Sequence, residues 1–278
     1  MEQMESESSQ SSGKAVYLNT ETLFIYSTSG SQSSIVKHNE ALQSLGLNVV
    51  YYSIGKEIGP EEYSGALRAP FVRGGAVTGQ GLKTEIIPYL DELETLARQL
   101  NAVNTVINQE GKLHGYNTDA FGLETALLKQ KEAGKLDVSK AVIYGYGGVS
   151  GVAAFALKNL GIQTTLTGRD IKRAEEKMQQ LGLSKIDGPY DFVLNATPVS
   201  ASPLEEAEGF LDLLDDAKLV FDHNMPEKDE RPNYLKEYCE KRGIHFIPGQ
   251  EMYIPQMIKQ WNLFLGLSDE EIKKHWDL

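Results

Sequence analysis

The sequence contains a single cysteine, Cys239, among 278 residues, so no internal disulfide can form. It also contains no apolar run near the roughly 18 residues that a membrane-spanning helix requires. Positive charge is scarce: 27 Lys and Arg against 39 Asp and Glu give a net charge of −12, which opposes loose association with nucleic acid or an anionic bilayer. We therefore expect a protein of the reducing cytoplasm, with neither a membrane nor a nucleic acid as its partner.

What is present suits two folded domains behind a polar tail. The length allows two domains of the usual roughly 100 to 200 residues, and 41% apolar with 24% charged residues is an ordinary globular composition. Residues 1–14 are rich in Ser, Glu and Gln and lack the apolar core or Arg-rich pattern of a targeting peptide. They are predicted to form a disordered tail.

The first half alternates strand-like and helix-like segments, which is typical of layered α/β folds. Apolar runs at 23–26 and 49–54 predict strands on either side of a helix over 35–46. A hairpin is predicted within 104–119, because two short runs flank a Gly-containing turn, and a helix is predicted over 120–134.

Residues 85–100 carry apolar side chains at spacings of three and four, as on the buried face of a helix. These positions are Leu90, Leu93, Leu96, Ala97 and Leu100. The pattern predicts one continuous helix.

From residue 140 onward, short β-rich runs alternate with helical stretches, and such crossovers force the strands to lie parallel. The runs are 141–144, 163–167, 191–195, 218–222 and 244–247. This half is predicted to be a doubly wound nucleotide-binding domain. The segment from Gln250 onward is predicted to be helical, with Ser268 and Glu271 as a capping box, and to be free to pack back on the first domain.

A glycine-rich turn connects the first of these strands to a helix. It reads Gly145-Tyr146-Gly147-Gly148-Val149-Ser150-Gly151. In this context glycines let the backbone approach a pyrophosphate, and the helix N-terminus attracts its charge. We predict that Gly145, Gly147, Gly148 and Val149 bind a dinucleotide; the alternative is a merely tight turn.

The end of the next strand distinguishes the two dinucleotides, because a carboxylate there binds a ribose 2′-hydroxyl whereas a cation binds a 2′-phosphate. Arg169, Lys172 and Arg173 form a basic cluster at this point. The cluster favours NADP over NAD. Asp170 supports NAD if its carboxylate turns to the ribose, and the alternative for Lys172 and Arg173 is a solvated helix face.

Five further segments, together with the glycine-rich turn, form a recognisable set of motifs. They are AVTGQGLK (76–83), NAVNTV (101–106), GYNTDAFG (115–122), NATP (195–198) and GQEMYIPQ (249–256). In this order and spacing they resemble the shikimate dehydrogenase family, from about Leu23 to Leu265. AVNTV followed by G-x-NTD is more specific than the glycine pattern.

The resemblance implies reversible, NADP-linked reduction of 3-dehydroshikimate to shikimate, within the biosynthesis of chorismate and the aromatic amino acids. It also implies a lysine and an aspartate beside the reacting oxygen, which match Lys83 and Asp119. The family's other substrate residues match Thr78, Asn104 and Gln256, and its second cofactor turn matches Asn195, Ala196 and Thr197.

The reaction explains these residue types. Hydride moves between nicotinamide C4 and a ring carbon, and a proton must move on or off the attached oxygen. One positioned acid or base contributes roughly 10²- to 10⁴-fold to such a rate. Lys83 can donate the proton and stabilise the developing alkoxide, while Asp119 orients the lysine and binds substrate hydroxyls. Taken alone, each residue more often indicates a surface lysine or a turn aspartate, so the assignment rests on the joint pattern.

The family's carboxylate-binding serines are altered here. Counting back without a gap from the His-Asn pair that follows them selects Gln32 and Ser34. One inserted residue selects Ser31 and Ser33 instead. Both registers stay open, and either leaves hydroxyl or amide donors for a substrate carboxylate. His38 is expected to pack within a helix.

Two loops also depart from the family. The lysine loop has one extra residue, no proline, and glycines at Gly79 and Gly81, so we expect it to be soft and Lys83 to become ordered on substrate binding. The segment DHNMP (222–226) lacks the family's tyrosine. His223 within it lies either near the nicotinamide or in an ordinary loop.

The predicted organisation is α/β, with two α/β domains. Residues 15–122 with 250–278 are expected to form the catalytic, substrate-binding domain, and 123–249 an NADP-binding Rossmann-type domain. Three functions remain open: a shikimate dehydrogenase, a paralogue acting on quinate or another cyclic hydroxy acid, and a non-catalytic NADP-binding sensor. We predict no metal site, and either a monomer or a homodimer.

Overall fold

A computed structural model describes residues 18–28, 30, 32–55, 57–79, 81–207, 209–225 and 231–276. The predicted tail at 1–14 lies outside these residues. The described chain forms a six-stranded and a five-stranded sheet with helices packed on them, which confirms the predicted α/β class. Over the same residues, every helix is too short or too polar to cross a membrane.

Six strands form the first sheet: β1 (Leu23–Ser27), β2 (Val49–Ser53), β3 (Val72–Ala76), β4 (Glu92–Leu93), β5 (Thr105–Gln109) and β6 (Lys112–Tyr116). Their order is β2-β1-β3-β5-β6-β4. β1 runs parallel to β2 and β3, whereas the predicted hairpin, β5 with β6, is confirmed and lies antiparallel to β3. Glu110 and Gly111 form its two-residue turn at φ of 54° and 88°, which matches the right-handed twist of the strands.

Five parallel strands form the second sheet: β7 (Lys140–Tyr144), β8 (Gln163–Thr167), β9 (Phe192–Asn195), β10 (Leu219–Asp222) and β11 (His245–Pro248). The order β11-β10-β9-β7-β8 confirms the predicted parallel sheet. From β7 the chain passes to β8 on one side and then to β9 on the other. The carboxyl ends of β7 and β9 therefore form a switch point, where open α/β sheets bind ligands.

The helices cover these sheets. In chain order they are α1 (Gln32–Ser44), α2 (Pro60–Leu67), α3 (Leu82–Glu85), α4 (Thr95–Leu100), α5 (Thr118–Glu132), α6 (Gly148–Asn159), α7 (Ile171–Leu181), α8 (Tyr234–Arg242), α9 (Gln250–Leu265) and α10 (Asp269–Trp276). Short 3-10 turns occur at Ile87–Tyr89, Pro198–Ala201, Leu204–Glu206 and Leu211–Leu214.

The predicted continuous helix over 85–100 is wrong. The chain there forms a 3-10 turn, strand β4 and helix α4. Pro88 has no backbone N–H and its ring crowds the preceding turn, so it breaks a regular α-helix. Beyond it, the amides of Asp91 and Glu94 donate hydrogen bonds of 2.9 Å to carbonyls of β6. Pairing at the sheet edge therefore overrides the helical spacing.

Helices α5 and α9 connect the two sheets. They cross closely at Gly122, where a Cβ would collide with the Met252 carbonyl oxygen and the Gln256 side chain. An ion pair between Lys129 Nζ and Glu251 Oε2, 2.7 Å apart, joins the same helices. α5 runs unbroken past residue 122, so the boundary predicted there falls inside a helix.

The C-terminal helices lie on the first sheet. Trp261 of α9 and Trp276 of α10 are buried with apolar residues of β1 and β2. Trp276 Nε1 donates to Nδ1 of the buried His38 at 3.0 Å, so His38 packs within a helix as predicted. The capping box is confirmed: Glu271 Oε2 accepts from the Ser268 amide at 2.9 Å, and Ser268 Oγ accepts from the Glu271 amide at 3.3 Å.

Candidate active site

Lys83 and Asp119 form an ion pair between α3 and the first turn of α5. Lys83 Nζ lies 2.6 Å from Asp119 Oδ2, and the two side chains are only 29% and 16% exposed. The Lys83 carbonyl accepts a hydrogen bond of 2.7 Å from the Val103 amide, which ties the lysine backbone to the segment before β5. Partial exclusion of water strengthens such a pair relative to one on the surface. The two residues predicted to be catalytic are therefore in contact.

Asn104 holds the other oxygen of the carboxylate. This buried side chain donates from Nδ2 to Asp119 Oδ1 and to Thr118 Oγ1, both at 2.9 Å. Burial opposes ionisation of Asp119, but the attraction of Lys83 and the hydrogen bonds from Lys83 and Asn104 outweigh it and hold the pKa of Asp119 below its ordinary value. Asp119 is therefore an anion at neutral pH, fixed through both oxygens.

Gln256 reaches the same cluster from α9. Its Nε2 donates to Thr118 Oγ1 at 3.3 Å, and the Thr118 amide donates to Asn104 Oδ1 at 2.9 Å. The side chain of Asn117 accepts from the Ala120 amide at 3.2 Å and so begins α5 at the point where Thr118 enters the cluster. Four predicted residues from separate parts of the chain thus come together: Lys83, Asn104, Asp119 and Gln256.

Thr78, predicted to contact substrate, is held by Thr28, a residue in none of the predicted motifs. The Thr78 amide donates to Thr28 Oγ1 at 2.8 Å, and the two hydroxyl oxygens are 3.1 Å apart. Gly79 and Gly81 follow at φ of 108° and 91°, where a side chain would be strained. Thr28 therefore fixes the start of a loop that lacks the stiffening of a proline.

The candidates for binding a carboxylate lie at the start of α1. Gln32 is exposed at its first position and Ser34 is half-buried. Ser31 and the side chain of Ser33 lie outside the described residues. The dipole of a helix N-terminus favours a carboxylate in either register, so the choice between them stays a prediction.

The glycine-rich turn lies at the switch point, between β7 and α6. Gly145 has a φ of 121°, and a Cβ there would lie 2.7 Å from Thr197 Cγ2 and 3.1 Å from the Ala196 carbonyl oxygen, so only glycine fits. Gly147 caps α6 and Gly148 begins it. A Cβ at either would meet nothing within 4 Å. These two glycines therefore leave open space at the helix N-terminus, as a pyrophosphate requires.

The turn from Asn195 to Thr197 closes the other side of the switch point. Asn195 is fully buried, and its Oδ1 accepts from the Thr197 amide at 3.1 Å and from the Thr197 hydroxyl at 2.7 Å. The Ala196 amide donates to the Tyr144 carbonyl at 2.9 Å, which ties the turn to β7. Val149 is half-buried in the first turn of α6, on the facing side.

The basic cluster lies between β8 and α7, with Arg169, Lys172 and Arg173 all exposed. Asp170 is the N-cap of α7: its Oδ1 accepts from the Arg173 amide at 3.1 Å, and its Oδ2 lies 3.6 Å from Arg173 Nε. Because this carboxylate is engaged in capping, the cations dominate the turn. The arrangement favours an anion such as a phosphate.

His223 lies next to the cofactor turn. It follows β10, and its amide donates to the Asn195 carbonyl at 2.9 Å. Burial lowers the pKa of its imidazole; the nearby Asp119 opposes this shift and Lys83 adds to it. His223 is therefore half-buried beside the cofactor turn, where the charges of the ion pair reach its imidazole.

Together, a Rossmann-type sheet with an open glycine turn and a second sheet bearing a shielded Lys–Asp pair define a two-sheet α/β protein of the dinucleotide-binding class. Residues 27–106 match the model of the shikimate dehydrogenase substrate binding domain. A relative named shikimate dehydrogenase (NADP(+)), from Carboxydothermus hydrogenoformans, is 30% identical over 246 residues, covering 83% of this chain and 86% of the relative.

Solved structures agree with these matches. Shikimate 5-dehydrogenase from Thermus thermophilus, in complex with NADP(H) and shikimate, is 26% identical with a TM-score of 0.72, over 92% of this chain and 99% of that one. Quinate dehydrogenase from Corynebacterium glutamicum, in complex with NAD, shares the fold at a TM-score of 0.75, 24% identity and coverage of 92% and 98%. The chain belongs to the shikimate dehydrogenase family, as its motifs predict.

Two further residues of the site were not predicted. Thr118, which contacts both Asn104 and Gln256, lies inside the GYNTDAFG segment, so that motif is a usable signal. Thr28 has no such signal, because only the pairing of β1 with β3 brings it beside Thr78.

Proposed function

We propose that the protein is an NADP-dependent shikimate dehydrogenase, which reversibly reduces 3-dehydroshikimate to shikimate. The observation that carries the proposal is the 2.6 Å ion pair of Lys83 with Asp119, held by Asn104. The names of the relatives support both NADP and shikimate. We place the enzyme in the cytoplasm, where an unpaired cysteine stays reduced.

The two sheets divide the work. We assign substrate binding to 15–122 with 250–278, which is supported by the family match over 27–106. We assign NADP binding to 123–249, which is supported by the open space at Gly147 and Gly148.

Bound NADPH supplies the hydride, and this chain supplies the proton. Lys83 Nζ donates a proton to the carbonyl oxygen of the substrate while negative charge develops there, which completes the new hydroxyl group. In the reverse direction the lysine amine accepts that proton. Asp119 holds Lys83 in position and stays ionised throughout.

Other polar groups orient the substrate ring. Thr78, Asn104 and Gln256 offer donors and acceptors to its hydroxyls, and the start of α1 offers donors to its carboxylate. These last donors are either Gln32 with Ser34 or Ser31 with Ser33. Correct orientation matters because a misplaced ring carbon loses most of the rate advantage of binding.

The residues assigned to the cofactor surround the switch point at the carboxyl ends of β7 and β9. We assign the pyrophosphate to Gly145, Gly147, Gly148 and the amide of Val149, at the N-terminus of α6. Arg169, with Lys172 and Arg173, is assigned to the 2′-phosphate. The turn of Asn195, Ala196 and Thr197 borders the nicotinamide end.

A substrate panel tests the proposal. Wild-type protein is mixed with shikimate, quinate or other cyclic hydroxy acids, each with NADP⁺ or NAD⁺, and the absorbance of the reduced nicotinamide is followed. We expect the highest kcat/KM for shikimate with NADP⁺. A higher value for another ring acid would contradict shikimate as the substrate, and NADP⁺ binding by folded protein without any turnover would contradict enzymatic activity.

A further inference from the structure

Asp222 ends β10 behind the cofactor turn and is completely buried. Its Oδ1 accepts from Asn195 Nδ2 at 2.8 Å and from the Asn224 amide at 3.1 Å. Its Oδ2 accepts from Asn233 Nδ2 at 3.0 Å, and the Ser200 side chain also hydrogen-bonds to the carboxylate. Three amide N–H groups point at the two oxygens, so the ionised, acceptor-only carboxylate matches its surroundings.

The two oxygens serve different parts of the molecule. The Oδ1 side leads to the active site, because Asn195 holds the Thr197 turn and Asn224 lies next to His223. The Oδ2 side leads to α8, because Asn233 is its N-cap and accepts from the Lys236 amide at 3.0 Å. One oxygen therefore contacts the cofactor turn, and the other contacts a helix terminus.

Folding stability alone does not explain why a carboxylate, Asp222, is buried at the end of β10. Burial is the largest influence on this group and raises the pKa of Asp222 to about 6, although its hydrogen bonds oppose the shift. Because the folded state binds a proton more tightly than the unfolded chain does, keeping Asp222 ionised at neutral pH costs folding stability. Buried groups retained at such a cost are typical of functional sites.

We propose that Asp222 is a positioning residue for the dinucleotide: its Oδ1 fixes Asn195 and the turn carrying His223, and thereby aligns the cofactor with Lys83 and Asp119. This inference rests on the proposed binding of NADP. Asp222 itself touches neither the substrate nor the reacting atoms, and it acts through Asn195.

Three variants separate positioning from mere support of the fold. Asp222→Ala removes both acceptors. Asp222→Asn can keep its amide oxygen toward Asn195 and Asn224, whereas its NH₂ then faces the donor Asn233 Nδ2, so only the α8 side loses its hydrogen bond. Asn233→Ala removes the hydrogen bond to Oδ2 together with the cap of α8, leaves the contacts of Oδ1 in place, and is the matched control. The measurements are the Kd for NADP⁺ by calorimetry and the midpoint of urea unfolding.

We expect Asp222→Ala to weaken NADP⁺ binding by about 10-fold or more, since Asn195 Nδ2 then keeps only its hydrogen bond to the Thr197 carbonyl and loses the one that ties it to β10. Asp222→Asn should remain within about 3-fold of wild type, and Asn233→Ala within about 2-fold although it lowers the unfolding midpoint through the lost cap. If Asp222→Ala does not fold, Asp222→Ser takes its place, because its shorter side chain cannot reach Asn195.

Equal losses of affinity in Asp222→Ala and Asn233→Ala would overturn the proposal, as would unchanged affinity in Asp222→Ala. The binding measurement does not depend on turnover. Wild-type protein that binds NADP⁺ but does not oxidise shikimate would therefore remove the proposed reaction while this test of Asp222 still stands. Wild-type protein that fails to bind NADP⁺ would remove both.

Discussion

The two halves of the site are held by different kinds of contact. Around Asp119, side chains bond to side chains: Lys83 at 2.6 Å and Asn104 at 2.9 Å. Around Gly145, most contacts come from the backbone, with the Gly145 amide donating to the Thr167 carbonyl at 2.8 Å. The ion-pair cluster of the substrate half therefore depends on the identity of its side chains, whereas the glycine turn of the cofactor half depends on the path of its main chain.

This difference determines how well each half tolerates a change of sequence. Changes in the lysine loop leave the ion pair in place, because both ends of the loop are held. The contact of Thr28 with Thr78 holds its start, and helix α3 holds its end. No neighbouring contact compensates for a change at Gly145, because a Cβ at that position would lie too close to Thr197 and Ala196. The two halves can therefore be tested separately.

The largest effect is expected in the substrate half. Lys83→Met removes the proton donor, so kcat for shikimate oxidation should fall by roughly 10²- to 10⁴-fold. The Kd for NADP⁺ should change by less than about 2-fold, since Lys83 lies outside the cofactor turn. Lys129→Met is the matched control, because Lys129 also forms an ion pair at 2.7 Å but is 66% exposed and has no assigned part in the chemistry. A similar loss of kcat in both variants would contradict the assignment.

The next effect separates backbone shape from ligand contact in the cofactor half. Gly145→Ala should lower the free energy of unfolding by roughly 3 kcal/mol, because it combines a strained φ with two close contacts. Gly147→Ala should leave unfolding nearly unchanged, since its Cβ meets nothing within 4 Å, yet weaken NADP⁺ binding. Urea unfolding and calorimetry measure the two quantities. A Gly147→Ala protein with wild-type affinity would show that the pyrophosphate lies elsewhere.

A smaller effect distinguishes the two dinucleotides. Arg169→Ala should weaken NADP⁺ binding by roughly 1 to 3 kcal/mol, through loss of charge-assisted bonds to the 2′-phosphate, and leave NAD⁺ binding almost unchanged. Arg173→Ala should weaken NADP⁺ binding less, because Arg173 Nε already lies 3.6 Å from Asp170 Oδ2 and so contributes less of its charge to the phosphate. Equal losses for the two cofactors in Arg169→Ala would place the 2′-phosphate away from this turn.

The smallest effect concerns the lysine loop. Thr28→Val keeps the shape of the side chain but removes the acceptor of the Thr78 amide. This loss should destabilise the ordered conformation of the lysine loop by about 1 kcal/mol. On that basis we expect KM for shikimate to rise by about 5-fold while the Kd for NADP⁺ stays constant. Thr125→Val, which alters a hydroxyl on the exposed side of α5, is the control. An unchanged KM in Thr28→Val would mean that the loop needs no such support.

The cofactor half was largely predictable because its signals are local. A strand, a glycine turn and a helix follow one another directly, and Gly145 shows in the structure why glycine is required. The hairpin of β5 with β6 and the Ser268 capping box are equally local, and both are confirmed.

The substrate half was predictable only through its motifs, because its contacts are distant in sequence. Thr28 meets Thr78 solely through strand pairing, and the sheet edge converts 92–93 from the predicted helix into β4. Side-chain spacing alone does not reveal such contacts, since the same short apolar pattern can form either a helix or an edge strand. Residues 92–93 form a strand because β6 lies beside them and offers backbone groups for pairing.

The central claim is that hydride passes directly between the substrate ring and the nicotinamide in a site joined from these two halves. Shikimate that carries deuterium on the carbon bearing the reacting hydroxyl tests it most directly, with mass spectrometry of the NADPH produced by the wild-type protein. We predict that the NADPH contains the deuterium and that the rate with labelled shikimate is lower. NADPH formed without the label, or no NADPH from folded protein, would contradict the account.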